Sequence, residues 1–122
     1  MLTRGDVYLV DIPGEKTDHY WIIVTDIDPS GRVVYAMLTD ARNLDFSVPT
    51  ISKGTPSWGN FKLTKDTAIH AARADVRQAT AVEMALKHAG KFQGIATAAF
   101  LQVVRNILRD SPETPPAVKN AL

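Results

Sequence analysis

The sequence predicts a mostly β domain with helices at its C-terminal end, and three observations carry that expectation. Its first half alternates β-branched and aromatic runs with turns bearing glycine or proline. From residue 80 the apolar spacing changes to that of an amphipathic helix. With 122 residues, 45% of them apolar, the chain has the length and composition for one core and one domain.

Residues 6–12 (DVYLVDI) read as the first strand, opened by Gly5 and closed by Pro13-Gly14. Residues 20–25 (YWIIVT) follow as the second. After the turn Asp28-Pro29-Ser30-Gly31, residues 32–39 (RVVYAMLT) return as the third, and the pair reads as a hairpin. Residues 40–60 read as a long loop with one short strand around 48–51; in so small a domain such a loop is more often functional or mobile than inert. The stretches 58–63 and 67–76 supply one or two further short strands.

Thr80-Ala81-Val82-Glu83 has the pattern of a capping box, and Val82, Ala85, Leu86 and Ala89 form a stripe, so a helix is expected over 80–89 with Gly90 as its stop. A longer helix is expected over 95–109, with Phe100, Leu101, Val104, Ile107 and Leu108 on one face. Residues 111–122 hold three of the seven prolines and are expected to pack as an extended segment or to stay loose. Residues 1–110 then form the domain, a small barrel or curled sheet with helices on one side, and 111–122 a proline-rich tail. A sheet this short leaves exposed edges unless it closes or pairs with another copy.

The absence of cysteine excludes a disulfide scaffold, a zinc–thiolate site, an iron–sulfur cluster and a cysteine nucleophile. No apolar run approaches the roughly 20 residues of a spanning helix, and the first ten residues lack the features of a signal peptide. A soluble, cytoplasmic protein is the expectation. The net charge of +1 conceals a division. Residues 1–59 carry 5 Lys/Arg against 8 Asp/Glu, residues 60–109 carry 8 against 3, and the last thirteen carry 1 against 2. The basic segment reads either as a face for a polyanion or as solvated helix surface.

Arg4-Gly5-Asp6-Val7-Tyr8-Leu9-Val10-Asp11 is similar to the opening strand of the MazF/PemK toxin family. In the same order, Trp21–Thr25 resembles that family's second strand, Tyr35–Thr39 its third, which ends in a functional threonine, and Lys65-Asp66-Thr67-Ala68-Ile69 a later strand. The matches span roughly residues 3–109. The resemblance implies an SH3-like barrel, a homodimer, metal-independent cleavage of single-stranded RNA without a cofactor, and a cognate antitoxin that covers the RNA surface. His19-Tyr20 stands where the family carries Arg-Pro, and the first loop is shorter here.

Cleavage through the neighbouring 2′-hydroxyl needs a base, an acid and a cation or donor for the charged phosphorane. His19 is a candidate acid or base, because histidine ordinarily titrates near neutrality; its plainer reading is a strand-edge residue. Thr39 is a candidate donor to a phosphate oxygen or a turn initiator. Lys16 and Arg42 are candidate phosphate-binding cations, and Glu15 and Asp18 can act as a base, orient His19, or belong to a solvated turn. Arg73, Asp75 and Arg77 would share one face of an extended segment, next to His70. They read as an ion-pair ladder, or Arg73 or Arg77 binds phosphate. Tyr20, Trp58 and Phe61 read as core aromatics or as platforms for unpaired bases. Three histidines without cysteine or close ligand spacing make a poor metal set, so none is expected. Two functions follow: a MazF/PemK-like toxin that binds and cuts RNA, and a non-catalytic SH3-like binding module.

Overall fold

The computed structural model describes residues 1–11, 18–43 and 48–122. Lys16 and Glu15, proposed above as site residues, lie outside the described residues, as do Ile12 and the Pro13-Gly14 turn. Among the described residues the strands before the first α-helix are β1 (Asp6–Val10), β2 (His19–Ile23), β3 (Arg32–Asp40), β4 (Thr50–Ile51), β5 (Pro56–Trp58), β6 (Phe61–Lys62), β7 (Thr67–Ile69) and β8 (Asp75–Gln78). There follow α1 (Ala79–Ala89), β9 (Gly90–Ile95), α2 (Ala98–Asp110) and α3 (Pro116–Ala121).

The main sheet is antiparallel, in the order β4-β7-β3-β2-β1-β9. The nine-residue β3 serves two partners on one side: β8 lies along Arg32–Tyr35 and β7 along Leu38–Asp40. The expected β2–β3 hairpin forms. β5 and β6 make a separate hairpin, joined to the segment after β9 by a bridge between Trp58 and Ala96. Among the described residues the outer strands β4 and β9 do not pair with each other, so the sheet is open where a closed small barrel was one expectation.

The period of two in β1–β3 sorts the core onto two faces. Val7, Ile22, Val24, Val34, Ala36 and Leu38 pack with Phe100, Leu101, Val104 and Leu108 of α2. Val10, Ile23 and Val33 pack on the other side with Ala79 and Leu86, at the start and middle of α1. Each large apolar side chain so buried contributes about 1.5–3 kcal/mol relative to exposure.

Three expectations need correction. The capping box does not form, because β8 runs directly into α1. Gln78 still pairs with Arg32, the Ala79 N–H bonds the Gly31 carbonyl at 2.8 Å, and Thr80 falls inside the helix. The second long helix begins at Ala98, capped by Thr97, and residues 90–95 are the edge strand β9. Gly90 has an extended backbone and starts that strand instead of closing α1 in a left-handed turn. At Gly94 φ is +146°, in the region that favours glycine, and an added Cβ would stand 3.5 Å from the Trp58 ring. Finally, the 111–122 stretch carries a helix. Pro116 sits at its start, where its fixed φ suits the first turn, and Thr114 and Val118 are buried. Among the described residues no helix is long and apolar enough to cross a membrane.

Candidate functional site

At the end of the sheet where β2 begins and β3 finishes, a cleft of about 560 Å³ opens. Its lining includes Asp18, His19, Tyr20, Thr39, Asp40, Arg42, Phe61 and Lys65. The register explains why two distant parts of the chain meet here. β2 and β3 pair Tyr20 with Leu38, so His19 and Thr39 each stand one residue beyond that pair, at the same end of the ladder. His19 is half-buried and Thr39 is buried.

Charge is organised around Asp40. Its carboxylate accepts from Arg42 Nε at 3.1 Å and Nη2 at 2.8 Å, and from the Arg42 backbone N–H at 3.0 Å. Lys65 Nζ stands 3.7 Å from the same carboxylate. The Arg42 hydrogen bonds, with the two positive charges, hold the Asp40 carboxyl well below the usual carboxylate range, and Asp40 in turn pushes Arg42 up. Asp66 ties the two cation-bearing turns together. Its carbonyl accepts from Ala41 N–H at 3.0 Å, next to Arg42, and its side chain accepts from Lys53 N–H at 2.8 Å.

The aromatic wall of the cleft is Tyr20 and Phe61. Phe61 stacks on Trp58, with ring centroids 4.7 Å apart and planes at 8°, and Tyr20 lies 4.8 Å from Trp58. Trp58 itself belongs to the core, 2% exposed. The other two rings are half-buried and form part of the cleft surface.

The structure therefore brings together His19, Thr39 and Arg42 of the proposed site residues, with Asp18 beside them. Arg73 and Arg77 do not line this cleft. Arg73 ends the short 3-10 turn Ala71–Arg73, so it does not share a strand face with the other two. Arg77 lies on β8 and donates through Nε to Asp75 at 2.7 Å, an exposed ion pair. His70 lines a different depression, near Asp110 and Glu113.

Lys65 and Asp40 were not singled out as site residues by sequence reasoning. The available signal was an Asp-x-Arg step at the end of a strand, in which the carboxylate can grip the arginine two residues on. Among the described residues no group of three His, Asp or Glu side chains is arranged to hold a metal ion. Compared with models of protein families and with curated proteins, the chain matches none.

The cleft thus brings together two cations, a threonine, an imidazole and two aromatic rings.

Proposed function

We propose that the cleft binds single-stranded RNA and cuts it by metal-independent acid–base chemistry, in a protein of the MazF/PemK toxin type. The observation that carries this reading is that His19 and Thr39 line one cleft together with Arg42 and Lys65. On this reading His19 takes the proton from a 2′-hydroxyl, whose oxygen attacks the adjacent phosphorus. The bond to the 5′ oxygen breaks, that oxygen takes a proton from solvent, and a 2′,3′-cyclic phosphate remains. Thr39 donates to a phosphate oxygen, while Arg42 and Lys65 offset the charge that develops on the phosphorane. The order of strands and C-terminal helices is compatible with an SH3-like scaffold whose sheet stays open. A second copy of the chain and an antitoxin that covers the cleft are the protein partners this reading implies.

A binding module without catalysis is the second reading, favoured by His19-Tyr20 standing where the resembled family carries Arg-Pro. Incubation of the purified protein with single-stranded RNA in EDTA separates the two. Cleavage to 2′,3′-cyclic ends, reduced about 100-fold or more in His19→Ala and also impaired in Thr39→Ala, supports the enzyme. RNA that stays intact through long incubation, yet is bound, supports the module.

A further inference from the structure

The ion pair in the cleft is built differently from an ordinary surface contact. Asp40 closes β3, where it pairs with Thr67 of β7, and its side chain lies inward, 16% exposed. Arg42 follows in the short turn Ala41–Asn43, and its side chain is 83% exposed. A ligand arriving from solvent therefore meets the guanidinium before it meets the carboxylate. Two exposed side chains that touch by themselves hold each other weakly. Here the carboxylate also accepts from the Arg42 backbone N–H at 3.0 Å, so one group fixes both the turn and the side chain that leaves it.

Which edge of the guanidinium is gripped decides what is left for a ligand. Asp40 takes the side edge, Nε at 3.1 Å and Nη2 at 2.8 Å. A planar guanidinium gripped there keeps its outer edge, made of Nη1 and the second N–H of Nη2. That edge is itself a fork, matched to two oxygens on one phosphorus. The second cation is close by, because Arg42 Nη2 and Lys65 Nζ both approach the same oxygen, Asp40 Oδ2, Lys65 at 3.7 Å.

We propose that Asp40 is a positioning residue: it fixes Arg42 by the side edge so that the outer edge, with Lys65 beside it, seats two oxygens of one phosphate. This rests on the reading of the cleft as a phosphate-binding site. Asp40 itself touches neither the phosphate nor the reacting atoms and acts through Arg42. An arginine already held gives up little freedom when the ligand arrives. The opposite role for the same carboxylate is that of a competitor, which occupies the cations until a phosphate displaces it. The two roles differ in sign. Removing a competitor tightens phosphate binding, and removing a holder weakens it.

Inorganic pyrophosphate is the probe, titrated into the full chain at about 0.15 M salt, where exposed charges are screened beyond about 8 Å. Calorimetry gives the affinity, and the Arg42 side-chain Nε–H resonance, assigned by its loss in Arg42→Lys, gives the place. The expected result is saturable binding that moves this resonance. Asp40→Asn keeps the shape and one acceptor oxygen but loses the two-oxygen grip, and weakens binding about fivefold. Arg42→Lys keeps the charge, loses the fork and weakens binding by a similar factor of about five. In the Arg42→Lys background Asp40→Asn weakens it no further, whereas a general effect on the fold would add. The proposal is overturned by the absence of saturable binding, by unchanged or tighter binding in Asp40→Asn, or by equal weakening in both backgrounds. Labelled single-stranded RNA added to the same chains separates this from the RNA reading. RNA that fails to bind a chain whose pyrophosphate response is as expected removes the RNA reading alone. RNA that binds while that response is absent or reversed removes the role of Asp40 alone.

Discussion

At Asp40 the carboxylate is held by both the side chain and the backbone of Arg42, so its protonation is disfavoured in the folded chain. Because the folded pKa is depressed, any stability this contact contributes is fully present above the ordinary aspartate value of about 3.9. It is lost as the pH falls through the folded pKa. A carbon-detected titration of the side-chain carboxyls is expected to find Asp40 still ionised at pH 3, and Arg42→Ala to return it toward the ordinary range; an ordinary midpoint in the native chain would contradict the ion pair. His19 and Thr39 were legible beforehand because each lies at the end of a strongly patterned strand, where a register brings ends together. Lys65 was not, since a lysine on a turn leaves no periodic trace and its neighbour Arg42 is 23 positions away. Arg73 and Arg77 were grouped on the assumption of one continuous strand, which the Ala71–Arg73 turn interrupts.

Between elements, the two long helices differ in how their first turns are satisfied. Thr97 Oγ1 accepts from the Phe100 N–H at 3.1 Å, whereas α1 has no side-chain cap and takes its entry from the β8 ladder. Thr97→Ala is therefore expected to destabilise the protein by about 1 kcal/mol in urea unfolding. Thr80→Ala should change stability by less than about 0.5 kcal/mol, because Thr80 is exposed and caps nothing. Equal losses at the two positions would restore the capping-box reading. The first three strands and the apolar face of α2 were legible because half-buried strands and an amphipathic helix leave strong periods. β9 was not. It is an edge strand in which Lys91, Phe92, Gln93 and Ile95 are all exposed, so burial imposes no alternation on it. The last helix was hidden for a related reason: six residues starting at a proline resemble a turn until Val118 is seen in the core.

For the whole molecule the decisive quantity is where the positive charge goes, because the basic 60–109 segment does not gather into one face. Lys65 lines the cleft, Arg77 stands on the α1 side of the sheet, Lys87 pairs with Glu83, and Arg105 donates to the Val24 carbonyl at 3.0 Å. Arg42, the other cation of the cleft, comes from the acidic half. Of the described lysines and arginines, these two line the cleft, so RNA held there releases few counterions. For a single strand the affinity falls with salt at a logarithmic slope of about −0.7 per phosphate neutralised, so two contacts give about −1.4. Fluorescence anisotropy of a labelled single-stranded RNA across a salt series measures this directly, with His19→Ala used as the binding form so that cleavage does not intervene. In that background Lys65→Gln is expected to reduce the slope to about −0.7, while Arg77→Gln leaves it unchanged. A slope near −3.5 that survives Lys65→Gln would correspond to about five phosphates on other surface cations. That outcome would move RNA binding away from the cleft and remove the basis for assigning His19 and Thr39 to its cleavage.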